Sequence, residues 1–242
     1  WIKFQNLNNI KSTFFLCTWN RFDKNSSILD VDYNCFDKSL YLLIRDLHEN
    51  GFDVGLHTSI NAWDHRRYDV EVEKFEKAYG FEPQGYRGHY WSMSLNNAND
   101  SMKLASETTN MVYSSCLGMN LHTGYRRGIC YPYRHFDKIN GEYAGNWEVP
   151  PIMMDQSLLF SINKNYQIKQ TLQAEIHNIK AFNGCFVLDW HSDSLTKGYM
   201  NNITESLLGE IEKLASDSEC WIANMSEIVN WSKDGRWKAN IK

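Results

Sequence analysis

Histidine, arginine and carboxylate side chains recur in this chain just after short strand-like runs. His57 follows DVGL, Arg87 and His89 follow PQGY, Ser114 and Ser115 follow MVY, Asp155 follows PPIMM, and His191 follows CFVLDW. An imidazole can carry a proton near neutral pH or give a nitrogen to a divalent ion. A guanidinium orients a carboxylate through a planar fork of donors. Each placement also has an ordinary reading. A histidine closing a strand is more often a hydrogen-bonded structural residue than a ligand, Arg87 can simply pair with an acid, and Asp155 can cap a helix beginning at SLL. The repetition of the same placement along the chain favours a site.

For such residues to act together, the strands before them must end on one face. The chain alternates accordingly. KSTFFLCTW (11–19) is β-branched and aromatic, and DKSLYLLIRDLHENG then sets Leu40, Leu43, Ile44 and Leu47 at helical spacing with Gly51 after the last turn. FDVGLHTS reads as a strand, and DVEVEKFEKAYG as a helix carrying Val70, Phe75 and Tyr79 and stopping at Gly80. PQGYRGHYW, MVYSSCLG, GICYPYRHF, WEVPPIMMD and GCFVLDWHSDS read as extended pieces. DSMKLASETTN, the stretch 171–180 and ITESLLGEIEKLAS read as helices, and CWIANMSEIVNWSK as a strand followed by a short helix. KINGEYAGN (138–146) is the expected exposed loop. Strands alternating with helices predict a parallel sheet with helical crossovers, here an α/β barrel of about seven strands forming a single domain over 1–242. Barrels of that kind gather their chemistry at the carboxyl ends of the strands.

Composition narrows the function. The 242 residues include nine Trp, thirteen Tyr and twelve Phe, enough for a large core. The formal net charge is −4 and no dense Lys/Arg block occurs, which argues against nucleic acid as a partner. Six cysteines are widely spaced without a CxxC pair, so a structural zinc site has no support and buried reduced thiols are expected. That usage leans towards a reducing, cytoplasmic setting. No apolar run approaches the roughly 20 residues of a transmembrane segment, and no secretory signal is visible.

KSTFFL, ENGFDVGLHTSIN, GYRGHYW, GYRRGICYPYRHFD, VPPIMMDQSL and FVLDWHSDSL occur in the order seen in polysaccharide-deacetylase-like proteins, and the chain resembles that family over residues 11–231. The resemblance is to carbohydrate-esterase-family-4-like, NodB-homology proteins, and within them to a branch associated with bacterial surface-polysaccharide clusters. It implies a deformed (β/α) barrel and deacetylation aided by a divalent metal, usually zinc, that activates water. His57 matches the first metal histidine, His191 the late-strand acid, and Arg87 the arginine that orients the acidic base. Asp155 falls where the family's acidic residue holds the late histidine.

Two departures accompany the resemblance. The expected HxxxH reads His57-Thr58-Ser59-Ile60-Asn61, which puts Asn61 in the second ligand position. The tandem aspartates should precede STFF, yet the ten residues before Lys11 contain no acid. Asp30 and Asp32 in LDVDYN lie after that strand and match a connecting segment. The acidic pair is therefore expected upstream of Trp1 or absent, with the barrel then lacking its first strand. His89, ending the next strand, is an expected further metal ligand, with sugar hydroxyl binding or a structural hydrogen bond as its alternatives. Arg126, Asp155, Tyr90 and Trp190 are expected to contact a sugar, rings such as these suiting its apolar faces.

The expected activity is de-N-acetylation of a glycan or glycan precursor. The alternative is an inactive deacetylase-like barrel that binds glycan or serves as a module in polysaccharide assembly. A glycosidase would need two flanking carboxylates and ranks below both. A cell-envelope setting is also compatible with the expected activity.

Overall fold

The protein is described by a computed structural model covering residues 1–93, 98–138, 140–161, 165–195 and 201–235. Its elements run α1 (Ile2–Leu7), β1 (Thr13–Cys17), α2 (Lys38–Glu49), β2 (Asp53–Thr58), α3 (Tyr68–Tyr79), β3 (Gly85–Gly88), α4 (Ala98–Thr108) and β4 (Tyr113–Ser114). They continue with β5 (Tyr133–Asp137), β6 (Glu142–Glu148), β7 (Met153–Met154), α5 (Asp155–Ser161), α6 (Asn165–Ala181), β8 (Leu188–Asp189), α7 (Asn201–Ala215) and α8 (Met225–Lys233). The chain divides into two compact units. One comprises Lys11–Cys116, Pro132–Val149 and Asn224–Lys242, and the other Trp1–Ile10, Leu117–Tyr131 and Pro150–Ala223.

The first unit is built on a six-stranded sheet in the order β1-β2-β3-β4-β6-β5. The strands from β1 to β6 in that order pair in parallel, as the alternation of strands and helices predicts. The register sets Cys17 level with His57 and His57 level with Arg87, so the polar ends of neighbouring strands align. Helix α2 is started by the Asp37 carboxylate, which accepts the Ser39 and Leu40 N–H groups, and it buries Ile44 and Leu47. Helix α3 stops at Gly80, whose φ of 81° supplies the left-handed cap. Gly85 lies so close to Tyr113 that an added Cβ would sit 2.3 Å from its ring. Tyr113 can therefore pass over Gly85 and donate its hydroxyl to Asp53 Oδ2 at 2.7 Å. The same oxygen accepts Thr13 Oγ1–H at 3.1 Å and the Ser226 N–H at 3.2 Å, fastening α8 to the start of the sheet.

The sheet departs from expectation at β5, which pairs antiparallel with β6. Residues 142–146, expected as part of an exposed loop, belong to β6: Tyr143 pairs with Phe136 and Glu142 with Asp137 across the turn at Gly141. Polar, glycine-containing sequence reads as loop, but a hairpin with a solvated face accepts the same composition. Residues 221–224, expected as a strand, are irregular and lead into the capping box of Asn224 and Glu227.

The second unit pairs β7 with β8 in parallel, Met154 opposite Asp189. GCFVLDW thus yields a two-residue strand where a longer one was expected. Around that pair, Met153, Leu158, Ile168, Leu172, Ile203 and Leu207 form a core against which Trp1, Leu188 and Trp190 pack. All six cysteines are free thiols. Among the described residues no helix is long and apolar enough to cross a membrane.

Candidate functional site

In the first unit His57 sits near the carboxyl end of β2, and its Nδ1 donates to the Arg87 carbonyl at 2.9 Å. A carbonyl can only accept, so Nδ1 carries the hydrogen. His89 lies beside it, the two ring centroids 4.8 Å apart and tilted by 58°. His89 Nδ1 is 3.3 Å from Asp30 Oδ1, and Tyr90 leans on its ring at a centroid separation of 4.8 Å. Tyr90 and Trp91 have φ values of 55° and 54°. Consecutive left-handed residues with bulky side chains cost about 1–2 kcal/mol each, strain that surrounding contacts must hold.

Asp30 is fully buried at its side chain. Besides His89, it accepts the Ile60 N–H at 2.9 Å and the Ser27 N–H at 2.7 Å. Burial pushes its carboxyl up, but the bonds from His89, Ile60 and Ser27 outweigh that and hold it below the ordinary value. The segment after His57 is tied down by a second buried carboxylate. Glu71 accepts the Ser59 N–H at 2.9 Å and Arg67 Nε–H at 2.9 Å, and Arg67 Nη2 reaches Ser59 Oγ at 2.7 Å. Burial raises the Glu71 carboxyl despite these partners. Asn61 Nδ2 is turned to the Asn25 carbonyl at 3.5 Å.

Arg87 is buried, with Nε donating to the Ser115 carbonyl at 3.2 Å and Nη2 to Ser115 Oγ at 3.0 Å. Its guanidinium lies 4.5 Å from the Phe15 ring centroid and 5.5 Å from that of Trp91. From the other side Glu148, wholly buried at the end of β6, accepts Ser114 Oγ–H at 2.6 Å and the Cys116 N–H at 2.9 Å. Two buried charges of opposite sign thus fix the three residues that follow Tyr113.

The second unit carries its own constellation. Asp155 opens α5, but its carboxylate reaches beyond that helix. Oδ1 accepts His191 Nδ1–H at 2.7 Å, while Oδ2 accepts the His191 backbone N–H at 3.0 Å and the Ser194 hydroxyl. Burial pushes Asp155 up, yet the His191 bond and charge, with Ser194, bring it below its ordinary value. The bond to Asp155 raises His191 in turn, burial opposing. The His191 side chain is 40% exposed, so a proton held there is within reach of a ligand. Next to it, Trp190 packs on the apolar core, and its Nε1 is buried with no acceptor among the described residues. Arg126 Nη1 donates to the Gly118 carbonyl at 3.0 Å.

The chain matches no protein-family model and no curated protein sequence. Its structure does find counterparts. A candidate polysaccharide deacetylase from Mycobacterium smegmatis aligns with 97% of this chain and 76% of its own, with a TM-score of 0.67 at 18% identity. The chain has the polysaccharide-deacetylase fold. The Xyl-CE4 domain of a multidomain xylanase from the hindgut metagenome of Trinervitermes trinervoides aligns over 97% of this chain and 82% of its own, with a TM-score of 0.47 and 10% identity. A GH57 branching enzyme from Thermococcus kodakaraensis, solved with glucose and additives, aligns over 79% and 49%, with a TM-score of 0.53 and 9% identity.

On this polysaccharide-deacetylase fold, His57, His89, Tyr90 and the Arg87 backbone come together in one unit, and His191 with Asp155 in the other. Asn61, though three residues from the end of β2, spends its amide nitrogen on a loop carbonyl. Among the described residues, no three His, Cys, Asp or Glu side chains are grouped to hold a metal ion. His57 and His89 supply two imidazoles, one donor short of the usual catalytic zinc set. Asp30, Glu71, Glu148 and Ser194 were not among the expected site residues. The spacing of Ser27 and Asp30 signals a local turn, and nothing in it points to a histidine 59 residues away.

Proposed function

We propose that the protein is a carbohydrate de-N-acetylase in which His191 is the general acid. Expelling an amine from a tetrahedral intermediate needs a proton on the nitrogen as the C–N bond breaks, because the amide anion is a very poor leaving group. The reading is carried by the exposed imidazole of His191 backed by a buried, hydrogen-bonded carboxylate. Asp155 fixes the Nδ1–H and favours the imidazolium, leaving Nε2–H as the proton to be given. A positioned acid of this kind contributes roughly 10²–10⁴-fold. Tyr90, 54% exposed beside His89, offers a flat face to a sugar ring. The polysaccharide-deacetylase fold supports glycan as the substrate class. No step is assigned to a metal, since the described donors do not complete a ligand set.

A second reading is favoured by Asn61, whose amide nitrogen is turned to the Asn25 carbonyl, and by Asp30, whose oxygens already accept from His89, Ile60 and Ser27. In it the protein binds an N-acetylated glycan without cleaving it. Incubation with N-acetylated oligosaccharides, with and without added zinc, separates the two. Acetate release that His191→Ala abolishes supports the hydrolase; saturable binding with no acetate released supports the second reading.

A further inference from the structure

We propose that Asp30 is a positioning residue for the candidate site: it holds His89 in the Nδ1–H tautomer, so that Nε2 presents a lone pair to a hydroxyl of the bound sugar. The functional weight of this assignment rests on the glycan reading above, whereas the tautomer itself can be observed without any substrate.

Three observations converge on it. First, an ionised carboxylate only accepts hydrogen bonds, so the Asp30 Oδ1 facing His89 Nδ1 at 3.3 Å requires the hydrogen on Nδ1. Second, Asp30 is itself rigidly placed. Its oxygens accept the Ser27 N–H at 2.7 Å and the Ile60 N–H at 2.9 Å, and Ile60 lies two residues beyond the end of β2, which carries His57. One carboxylate thereby joins the loop after β1, the segment after β2 and the histidine after β3. Third, the backbone around His89 is held in a conformation the chain would not choose alone. Tyr90 and Trp91 are both left-handed, Ser92 N–H closes back on the His89 carbonyl at 3.0 Å, and a Cβ on Gly88 would meet the Ser92 carbonyl at 2.8 Å. A turn so constrained fixes the place of the ring, and Asp30 fixes its orientation and proton. A side chain that merely filled space would not have to accept from the imidazole and from both flanking loops at once.

The test is the ¹⁵N spectrum of the histidine-labelled full chain, recorded at a pH where His89 is neutral and assigned with His89→Gln. In the native protein His89 should appear as the Nδ1–H form. Asp30→Ala should move the majority to Nε2–H, the form an unconstrained imidazole prefers. Asp30→Asn, which keeps an acceptor oxygen for the ring, should largely retain Nδ1–H and stays informative if the alanine variant does not fold. An Nε2–H majority in the native protein overturns the proposal, as does an unchanged tautomer in a folded Asp30→Ala. Neither outcome depends on acetate release, so failure of the deacetylase reading would register separately.

Discussion

Asp155 grips His191 at two points, its Oδ1 taking the imidazole Nδ1–H at 2.7 Å and its Oδ2 the backbone N–H of the same residue at 3.0 Å. The ring therefore cannot turn without giving up a charge-assisted bond. The pair is joined across 36 residues, from the start of α5 to the residues after β8.

That pairing gives a defined pH dependence. His191 is raised above its ordinary 6.5, so its contribution to stability is complete below 6.5 and declines as pH rises through the raised value. Asp155 is lowered below 3.8, so its contribution is complete above 3.8 and declines as pH falls through the lowered value. The stability difference between the native protein and Asp155→Asn should peak between those two ordinary values and shrink on either side. Urea midpoints collected across the range check this; a difference independent of pH would show that the pair is not ionic.

Truncating Asp155 to Ala removes the acceptor for His191 N–H and for Ser194 Oγ as well as for the imidazole. Leaving such groups unpaired costs about 1–3 kcal/mol each, less where water can enter. We expect a loss of about 2–4 kcal/mol in chemical denaturation, together with a His191 titration shifted down towards its ordinary value by NMR. An unchanged titration would assign the raised value to some other neighbour.

Glu71 and Arg67 form a buried ion pair one helical turn apart, with Ser59 between them. Glu71→Ala should destabilise by about 3–5 kcal/mol, because it strands a buried guanidinium. The double replacement of Glu71 and Arg67 by apolar residues of similar size should cost clearly less than the sum of the single changes. Additive losses in a double-mutant cycle would refute the coupling.

Gly85→Ala tests the close contact under Tyr113. The new methyl would overlap a ring held by its hydroxyl bond to Asp53, and overpacking of this kind costs about 1–3 kcal/mol. In a Tyr113→Ala background, itself much less stable, the added cost of Gly85→Ala should be smaller. If Gly85→Ala unfolds at the native midpoint, the ring is free to move and the packing is looser than described.

The strands and helices were legible because their periodicities are local. Leu40, Leu43, Ile44 and Leu47 betray α2, and DVGLHT betrays β2 from its apolar run alone. The antiparallel β5–β6 hairpin was not legible, since Gly141 and the polar residues around it read equally well as loop. His57, His89, Arg87, Asp155 and His191 stood out by following strand-like runs. Asp30, Glu71 and Glu148 did not, because their partners lie in distant sequence: Asp30 meets His89 across 59 residues and Glu148 meets Ser114 across 34. Residue type and spacing locate the ends of strands, whereas buried carboxylates acquire meaning only from what the fold brings to them.

The most direct measurement is acetate release from N-acetylated oligosaccharides by the native protein and by His191→Ala, each shown to be folded by its thermal transition. A deacetylase using His191 as acid predicts turnover in the native protein and a loss of roughly 10²-fold or more in the variant. Equal turnover by the two folded proteins would contradict it.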